Sequence, residues 1–399
     1  MIRRAWTGGV LTSDHRVRAV RIGAVLAVVL LAVGCTGTTT PPDGGAASEA
    51  SPTALAPLLP TATSEADLAV DQQLAAALDQ EFASDEYTGL ASVIVLADGR
   101  TAYERYYDSA GTDHHHVWSV TKSIISTLVG IAIGEGKIPG VDATLAQLLP
   151  DHAEGMTAGV ARITLEQLLT MTAGLADDLP SSDDAVASIL TKQALAPGTE
   201  FSYANNGAHL VAAILVEATG IPLLEYARAR LFDPLGIPTR PTDQPTFTDW
   251  NDLTDPSGFG WYVDPQGINL GGLGISLRAQ DMAKIGLLYL NHGAWHGQEV
   301  VPADWVKTST TEHVPLEVGI EGFAPAGDVG YGYLWWTTRV DGDAAYSANG
   351  SFGQRILVVP DRDLVVVTQA SFTSRGDDWA PGDTAVNDVF ISLIAPAFR

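Results

Sequence analysis

The sequence has a single cysteine, Cys35, so no disulfide can form within the chain. Basic residues are also scarce: the sequence has 22 Lys and Arg and 47 Asp and Glu, which gives a formal net charge of −25. Such a surface repels nucleic acid and anionic lipid headgroups, which argues against a polyanion-binding role. The HExxH, GxSxG and Walker A patterns are absent, so we expect neither a metal site nor a cofactor.

The first 34 residues have the organisation of a signal peptide. Five arginines precede the apolar residues 22–33, a run too short for a transmembrane helix but suited to the apolar region of a signal peptide. Ala32-Val33-Gly34-Cys35 resembles the lipobox of bacterial lipoproteins, in which cleavage leaves a lipid-modified N-terminal cysteine. We predict a signal peptide at 1–34, lipidation of Cys35 and an extracytoplasmic bacterial lipoprotein anchored in the cell membrane. An ordinary secretory signal with an incidental cysteine is the alternative.

The remaining sequence divides into a tether and one folded domain. Residues 35–66 are rich in Thr, Pro, Ala and Ser without apolar periodicity, which predicts a disordered tether. The folded domain, 67–399, has a length and composition sufficient for a substantial core.

Strands are predicted at both ends of this domain and helices between them. The pattern predicts a helix at 67–83, then two strands at 90–96 and 101–107 joined at Asp98-Gly99. Helices are expected through a mostly helical subdomain at 108–264 and again at 276–291. Later strands are predicted at 331–336, 344–348, 354–359 and 364–370, and a helix at 384–394. We therefore predict an α/β (α+β) fold, in which an antiparallel sheet is built from both chain ends and flanked by helices.

A serine and a lysine begin the most apolar helix. Ser119 and Lys122 lie three residues apart and would share one helix face, and the apolar residues continue to about Glu135. An inward-facing lysine is costly unless it is paired, and an amine beside a serine is one way to activate a hydroxyl nucleophile. A core helix that happens to begin with serine and carries a snorkelling lysine is the alternative.

Several motifs in order resemble the serine β-lactamase and penicillin-binding superfamily. Ser119-Val120-Thr121-Lys122 is similar to its SxxK motif, and Tyr203-Ala204-Asn205 to the YxN motif of the class C-like branch. That branch contains class C β-lactamases, DD-peptidases, family VIII esterases and 6-aminohexanoate-oligomer hydrolases. Further similarities lie at 168–175 and 271–276, and the resemblance runs from about residue 67 to the C-terminus.

The resemblance implies a role for each motif residue. Ser119 would be the nucleophile that forms an acyl-enzyme, Lys122 and Tyr203 would share proton transfer, and Asn205 would orient the substrate and the Lys122 amine. Which of Lys122 and Tyr203 is the base stays open, because their titrations would be coupled. Taken alone, Tyr203 could be a core aromatic residue and Asn205 a turn residue.

The third family motif is altered in this sequence. Its counterpart is Ala348-Asn349-Gly350-Ser351, in which Gly350 would allow close approach of the substrate and the Ser351 N–H would join that of Ser119 in an oxyanion hole. Ala348 occupies the position of the usual lysine or histidine, so the expected partner of a β-lactam carboxylate is missing.

Other side chains are given ordinary roles. We expect His114, His115 and His116 to be solvated or to support a turn. Arg355, beside the third motif, is expected to be solvated at a strand end, and contact with the substrate is the alternative. Trp335, Trp336 and Phe352 could line a pocket or pack in the core.

These observations predict a serine hydrolase that cleaves a small-molecule ester, amide or peptide through Ser119. The alternatives are a DD-peptidase or β-lactamase, and a non-catalytic penicillin-binding-like module. The sequence leaves the exact substrate and the oligomeric state open.

Overall fold

The computed structural model describes residues 58–83, 90–107, 109–176, 181–192, 195–249, 252–253, 256–316, 329–370, 389 and 393–398. The predicted signal peptide, Cys35 and most of the tether lie outside these residues, as does most of the helix predicted at 384–394. The boundary of the signal peptide therefore stays a prediction. The boundaries of the helical subdomain also stay a prediction.

Strands from both ends of the domain pair in one antiparallel sheet. The strands are β1 Leu90–Ala97, β2 Arg100–Tyr106, β3 His115–His116, β4 Gly260–Trp261, β5 Ile275–Leu277, β6 Ala294–Trp295, β7 Gln298–Glu299, β8 Val314–Leu316, β9 Val329–Tyr331, β10 Trp336–Val340, β11 Asp343–Gly350, β12 Gln354–Val359 and β13 Leu364–Ala370. Among the described residues the main sheet has the order β2-β1-β13-β12-β11-β10-β9-β8, and β3-β5-β4 form a small second sheet. The register Ile94↔Val367 joins the early and the late part of the chain. The predicted antiparallel sheet and fold class are confirmed.

The described helices lie mostly between the two sets of strands. They are α1 Glu65–Phe82, α2 Val120–Gly134, α3 Leu145–Leu148, α4 Leu165–Leu169, α5 Ala185–Leu190, α6 Asn205–Thr219, α7 Leu223–Ala227, α8 Ala279–Leu290, α9 Ala303–Ser309 and α10 Ala395–Ala397. A π-helical turn, Arg228–Phe232, continues α7. No single described helix is long and apolar enough to cross a membrane, although α6 and Leu223–Phe232, bent by 77°, satisfy length and composition together.

Helices cover both faces of the main sheet. The larger core contains the apolar residues of α2, α6 and α8 together with sheet residues such as Ile94 and Ile356. On the opposite face Leu74, Leu78 and Phe82 of α1 pack with sheet residues such as Val95 and Leu357. Burial of apolar area contributes about 25 cal/mol per Å², so packing in the larger core stabilises the position of α2.

The folded part begins before residue 67. Ser64 caps α1 by accepting a hydrogen bond from the Asp67 N–H, and α1 starts at Glu65. The Thr101 N–H donates to the Pro60 carbonyl at 3.0 Å, and Thr61 forms a bridge with Thr101. The predicted end of the tether at residue 66 is therefore several residues too late, because backbone pairing with β2 outweighs the polar composition of this segment.

Two predicted elements of the later sequence differ from the structure. The helix predicted at 276–291 begins only at Ala279, because Ser276 belongs to β5 and pairs with His116 and Gly260. The single strand predicted at 331–336 is instead the end of β9 and the start of β10. The chain turns between them, and Leu334 in this turn has a positive φ of 59°. Both errors have one cause: distant strand pairing determines these segments, whereas local apolar content does not reveal it.

Candidate active site

The first turn of α2 brings Ser119 and Lys122 together. Ser119 occupies the N-cap position, but its hydroxyl forms no capping bond to its own helix. The Lys122 Nζ instead donates a hydrogen bond to the Ser119 Oγ at 3.0 Å. The spacing of three residues thus produces the contact that it predicts, and the lysine is buried to 1% exposure.

The buried amine of Lys122 meets three oxygen atoms. Besides the Ser119 Oγ, its Nζ donates to the Asn205 Oδ1 and to the Gly272 carbonyl oxygen, each at 2.7 Å. An ammonium has three N–H donors, so these acceptors can satisfy all of them. Hydrogen bonding of this kind is what a lysine withdrawn from water requires.

Asn205 and Gly272 come from different segments that pack closely. Asn205 is the first residue of α6, and a Cβ added at Gly272 would lie 2.9 Å from the Asn205 Oδ1. A Cβ at Gly271 would lie 2.0 Å from the Ala208 carbonyl oxygen. Only glycines allow the 271–272 backbone to approach α6 this closely. Sequence reasoning missed the Gly272 carbonyl as a lysine acceptor, although the Gly271-Gly272 pair was the available signal.

A buried pair also joins α6 to the segment that leads to Gly272. His209 lies on α6, four residues after Asn205. Its Nε2 is 3.0 Å from the Asp264 Oδ2, and both side chains are buried. The other oxygen, Asp264 Oδ1, accepts from the Ile268 N–H at 2.8 Å. This pair was not predicted, because a lone His and a lone Asp 55 positions apart give no sequence signal.

Tyr203 lies against the same amine through its ring. The Lys122 Nζ is 4.7 Å from the Tyr203 ring centroid, within the range of a cation–π contact. The ring of Tyr203 stacks on Trp336 at 5.9 Å and 24°, and it meets Tyr331 edge to face at 6.3 Å. Trp336 is 2% exposed and belongs to the core, so it supports the tyrosine from behind.

The two neighbouring phenols differ in environment. Burial raises the pKa of Tyr331 well above its usual value, and the nearby Tyr203 raises it further. Tyr331 is fully enclosed, whereas Tyr203 is half-buried. Tyr331 is therefore a neutral support, and Tyr203 is the phenol of this pair that can reach a substrate.

The end of β11 lies beside the residues that precede Ser119. A Cβ added at Gly350 would lie 2.2 Å from the Val117 carbonyl oxygen and 3.1 Å from the Trp118 Cβ, so the close approach depends on glycine. Ser351 follows immediately, is half-buried and starts the turn to β12. Ala348 is fully buried in the larger core and pairs with Ile356, which leaves a small apolar side chain at the altered motif position.

Three expectations about other residues are wrong. Arg355 is only 1% exposed rather than solvated at a strand end. His115 and His116 form β3 and are buried because they pair with β5. His114 is half-buried, and desolvation lowers its pKa. Among the described residues no group of three or more His, Cys, Asp or Glu could hold a metal ion.

The arrangement can move a proton between Ser119 and Lys122. In the ammonium form the amine donates to Ser119, whereas a neutral amine has two N–H donors and one lone pair. Asn205 and Gly272 can accept both donors of the neutral form, and the lone pair then faces the Ser119 hydroxyl. The contact with Ser119 is thus the one whose hydrogen-bond direction can reverse.

Comparison with known proteins shows the same superfamily. A sequence model of the Beta-lactamase family matches residues 74–389. The chain is 25% identical to the 6-aminohexanoate-dimer hydrolase of Paenarthrobacter ureafaciens over 319 residues, 73% of this chain and 74% of that protein. Over a shorter stretch of 177 residues it is 30% identical to a beta-lactamase of Escherichia coli K12, covering 42% of this chain and 45% of that protein.

Solved structures share the fold. A penicillin-binding protein homologue from Caulobacter crescentus superposes with a TM-score of 0.62 at 17% identity, covering 84% of this chain and 99% of that one. EstCE1, described as a hydrolase with promiscuous acyltransferase activity, gives a TM-score of 0.62 at 19% identity, covering 82% of this chain and all of that one. These two curated relatives are hydrolases, and the family match confirms the predicted superfamily and enzyme class. The chain belongs to the Beta-lactamase family.

Proposed function

We propose that the protein cleaves a carboxylic ester or amide through a covalent acyl-enzyme on Ser119. The observation that carries this proposal is the buried Lys122 amine, which contacts the Ser119 Oγ at 3.0 Å while Asn205 and Gly272 hold its other side. A hydroxyl beside a fixed amine is the arrangement that activates a weak nucleophile.

In the first half-reaction the Ser119 Oγ attacks the substrate carbonyl carbon and its proton passes to the Lys122–Tyr203 pair. The carbonyl becomes an oxyanion, which the N–H groups of Ser119 and Ser351 stabilise. The C–O or C–N bond then breaks, and the pair returns the proton to the leaving alcohol or amine. In the second half-reaction water attacks the acyl carbon and loses a proton to the same pair. The bond from the acyl carbon to the Ser119 Oγ then breaks, the pair returns the proton to this oxygen, and the acid and the free serine are released.

Esters and linear amides fit the site better than β-lactams. Ala348 has a methyl side chain, so this motif position offers no cation to a substrate carboxylate. One relative is described as a 6-aminohexanoate-dimer hydrolase, and one structural neighbour as a hydrolase with acyltransferase activity. A β-lactamase function is the second candidate, because a beta-lactamase is among the curated relatives.

A panel of chromogenic substrates tests this proposal. We expect turnover of p-nitrophenyl acetate and butyrate, slow or no hydrolysis of nitrocefin and of a D-Ala-D-Ala peptide, and a mass increase on Ser119 after a fluorophosphonate. Ser119→Ala should abolish turnover and labelling, whereas Ser109→Ala, which removes a hydroxyl bonded only to the Ala91 carbonyl, is the control. Efficient nitrocefin hydrolysis would favour the second candidate. Absence of all turnover and labelling would favour a ligand-binding module.

We also propose that lipid on Cys35 anchors the protein outside the cytoplasm. The lipobox-like residues before Cys35 support this, as does the strongly acidic composition, which gives no electrostatic attraction to anionic headgroups. Cys35→Ser should release the protein from the membrane fraction and abolish labelling with a palmitate analogue. Retention of the variant in membranes would show that the lipid is not the anchor.

A further inference from the structure

Two bulky residues with left-handed backbone conformations flank the proposed oxyanion hole. Trp118, immediately before Ser119, has a φ of 49°, and Phe352, immediately after Ser351, has a φ of 67°. Such positive φ values are unusual for large side chains because the Cβ crowds the backbone. Each proposed N–H donor is therefore covalently joined to a residue in a rare conformation.

The two side chains pack against each other. Their ring centroids are 5.0 Å apart at an angle of 58°, a favourable geometry for an aromatic pair. Trp118 is 6% exposed and Phe352 4% exposed, and both belong to a separate apolar cluster with Phe247, Tyr262 and other residues. The contact bridges two segments more than 230 positions apart in the sequence.

The backbones of these segments meet at the same place. Gly350 lies against Val117 and Trp118 so closely that an added Cβ would overlap the Val117 carbonyl oxygen. Next to it, the Val120 N–H donates to the Val117 carbonyl at 3.1 Å, which closes the turn that carries Ser119. On the other side, the Thr368 hydroxyl donates to the Gly353 carbonyl at 2.6 Å and fixes the turn that carries Ser351.

Rare backbone conformations persist where the surrounding structure determines them, and they concentrate at functional sites. Here the two left-handed residues that flank the site have aromatic side chains, and their rings contact each other. The ring contact thus supplies the stabilisation that both turns need, and it also fixes their separation.

We propose that Trp118 and Phe352 form an aromatic clasp that sets the spacing of the Ser119 and Ser351 N–H groups. They are positioning residues, because their rings act through the two turns and not on the reacting atoms. This inference rests on the proposed function, since an oxyanion hole has meaning only if Ser119 is acylated. It identifies a determinant of transition-state stabilisation that lies outside the family motifs.

The test separates the ring contact from simple apolar filling. Phe352→Leu and Trp118→Leu keep an apolar side chain but remove one ring, whereas Phe352→Tyr and Trp118→Phe retain a ring pair. We expect each leucine variant to lower kcat by about tenfold to a hundredfold with KM changed less than about twofold, because a shift of about 1 Å in a catalytic group has an effect of this size. The aromatic variants should stay within about threefold of the wild type.

A spectroscopic readout reports the oxyanion hole directly. Infrared difference spectra of a slowly deacylating acyl-enzyme, with a ¹³C-labelled ester carbonyl, measure how strongly the two N–H groups polarise it. The leucine variants should move the carbonyl band to higher wavenumber, and the Trp118→Leu/Phe352→Leu double variant should move it no further than either single variant. Phe259→Leu is the matched control, because it removes one ring of the buried Phe232–Phe259 pair, whose centroids are 5.6 Å apart. This pair belongs to the larger core and not to the cluster that contains Trp118 and Phe352.

The outcomes are distinguishable. If both folded leucine variants keep the wild-type kcat and carbonyl band, or if KM rises while kcat is unchanged, the clasp is wrong although the proposed function stands. If the wild type forms no acyl-enzyme on Ser119, the proposed function fails and the clasp fails with it. Each leucine variant removes a different ring of the same contact. If one variant fails to fold, the other still tests the proposal.

Discussion

Gly272→Ala is the sharpest test of how the Lys122 amine is held. The new Cβ would lie 2.9 Å from the Asn205 Oδ1 and 3.2 Å from its Cβ. Carbon and oxygen atoms keep at least about 3.3 Å between them in such contacts, so Asn205 must move by about 0.4 Å. Asn205 is the residue whose oxygen accepts from Lys122 at 2.7 Å. The substitution therefore disturbs the amine without removing any catalytic atom.

The expected size of the effect follows from this displacement. A misplacement of about 1 Å costs about a hundredfold in rate, so a shift of about 0.4 Å should reduce kcat/KM about five- to tenfold. Complete loss of the hydrogen bond to a charged amine is worth about 1.5–3 kcal/mol, which sets an upper limit of about a hundredfold. The rate of p-nitrophenyl butyrate hydrolysis and of fluorophosphonate labelling both measure this loss.

Gly207→Ala provides the matched control on α6. Its Cβ would meet nothing closer than the Leu168 Cδ2 at 3.9 Å, and alanine in a helix interior stabilises by about 0.5–1 kcal/mol over glycine. We expect unchanged activity and a slightly higher Tm. In an Asn205→Ala background, Gly272→Ala should have little further effect, because both changes act on the same contact. Wild-type activity of Gly272→Ala, or an equal loss in Gly207→Ala, would refute the reasoning.

Three further predictions concern the surroundings of the site. Lys122→Arg should lower kcat/KM by about 10²–10⁴, as should Lys122→Ala, because a guanidinium always stays protonated and cannot take up a proton. Near-wild-type hydrolysis by the arginine variant would contradict the role of the amine. Asp264→Ala should lower the free energy of unfolding by about 3 kcal/mol, because it leaves the buried His209 ring without its partner at 3.0 Å. Denaturant titration measures this change, and a loss below about 1 kcal/mol would show that the pair contributes little to stability. His114→Gln should flatten the pH dependence of stability below pH about 6.5. Desolvation lowers the pKa of His114 in the folded state, so the unfolded state binds more protons there and wild-type stability falls as the pH falls; an unchanged slope would exclude His114 as the cause.

The sequence was sufficient for the parts of the fold that are locally encoded. Apolar periodicity located α2 and α6, and Asp98-Gly99 located the β1–β2 turn, because these elements are specified by neighbouring residues. The spacing of Ser119 and Lys122 predicted their contact for the same reason. The motif order then indicated that Asn205 would approach Lys122, which the hydrogen bond between them shows.

Features that depend on distant pairing were not predictable. Ser276 looks like a helix cap, yet pairing with His116 and Gly260 places it in a strand. Likewise Arg355 is charged, and only the completed sheet shows that it is buried. The Gly271-Gly272 pair signals a close backbone approach, but the residue types do not show that the Gly272 carbonyl accepts a hydrogen bond from Lys122.

The pairing of β1 with β13 has a consequence for how the protein folds. These neighbouring strands are separated by about 270 residues of sequence, and contacts of such long range are intrinsically slow to form. During synthesis on the ribosome, β1 must wait for β13 to emerge before the two strands can pair. A truncated product that ends before β13 would leave the edge of β1 exposed, and we expect quality-control proteases to remove it.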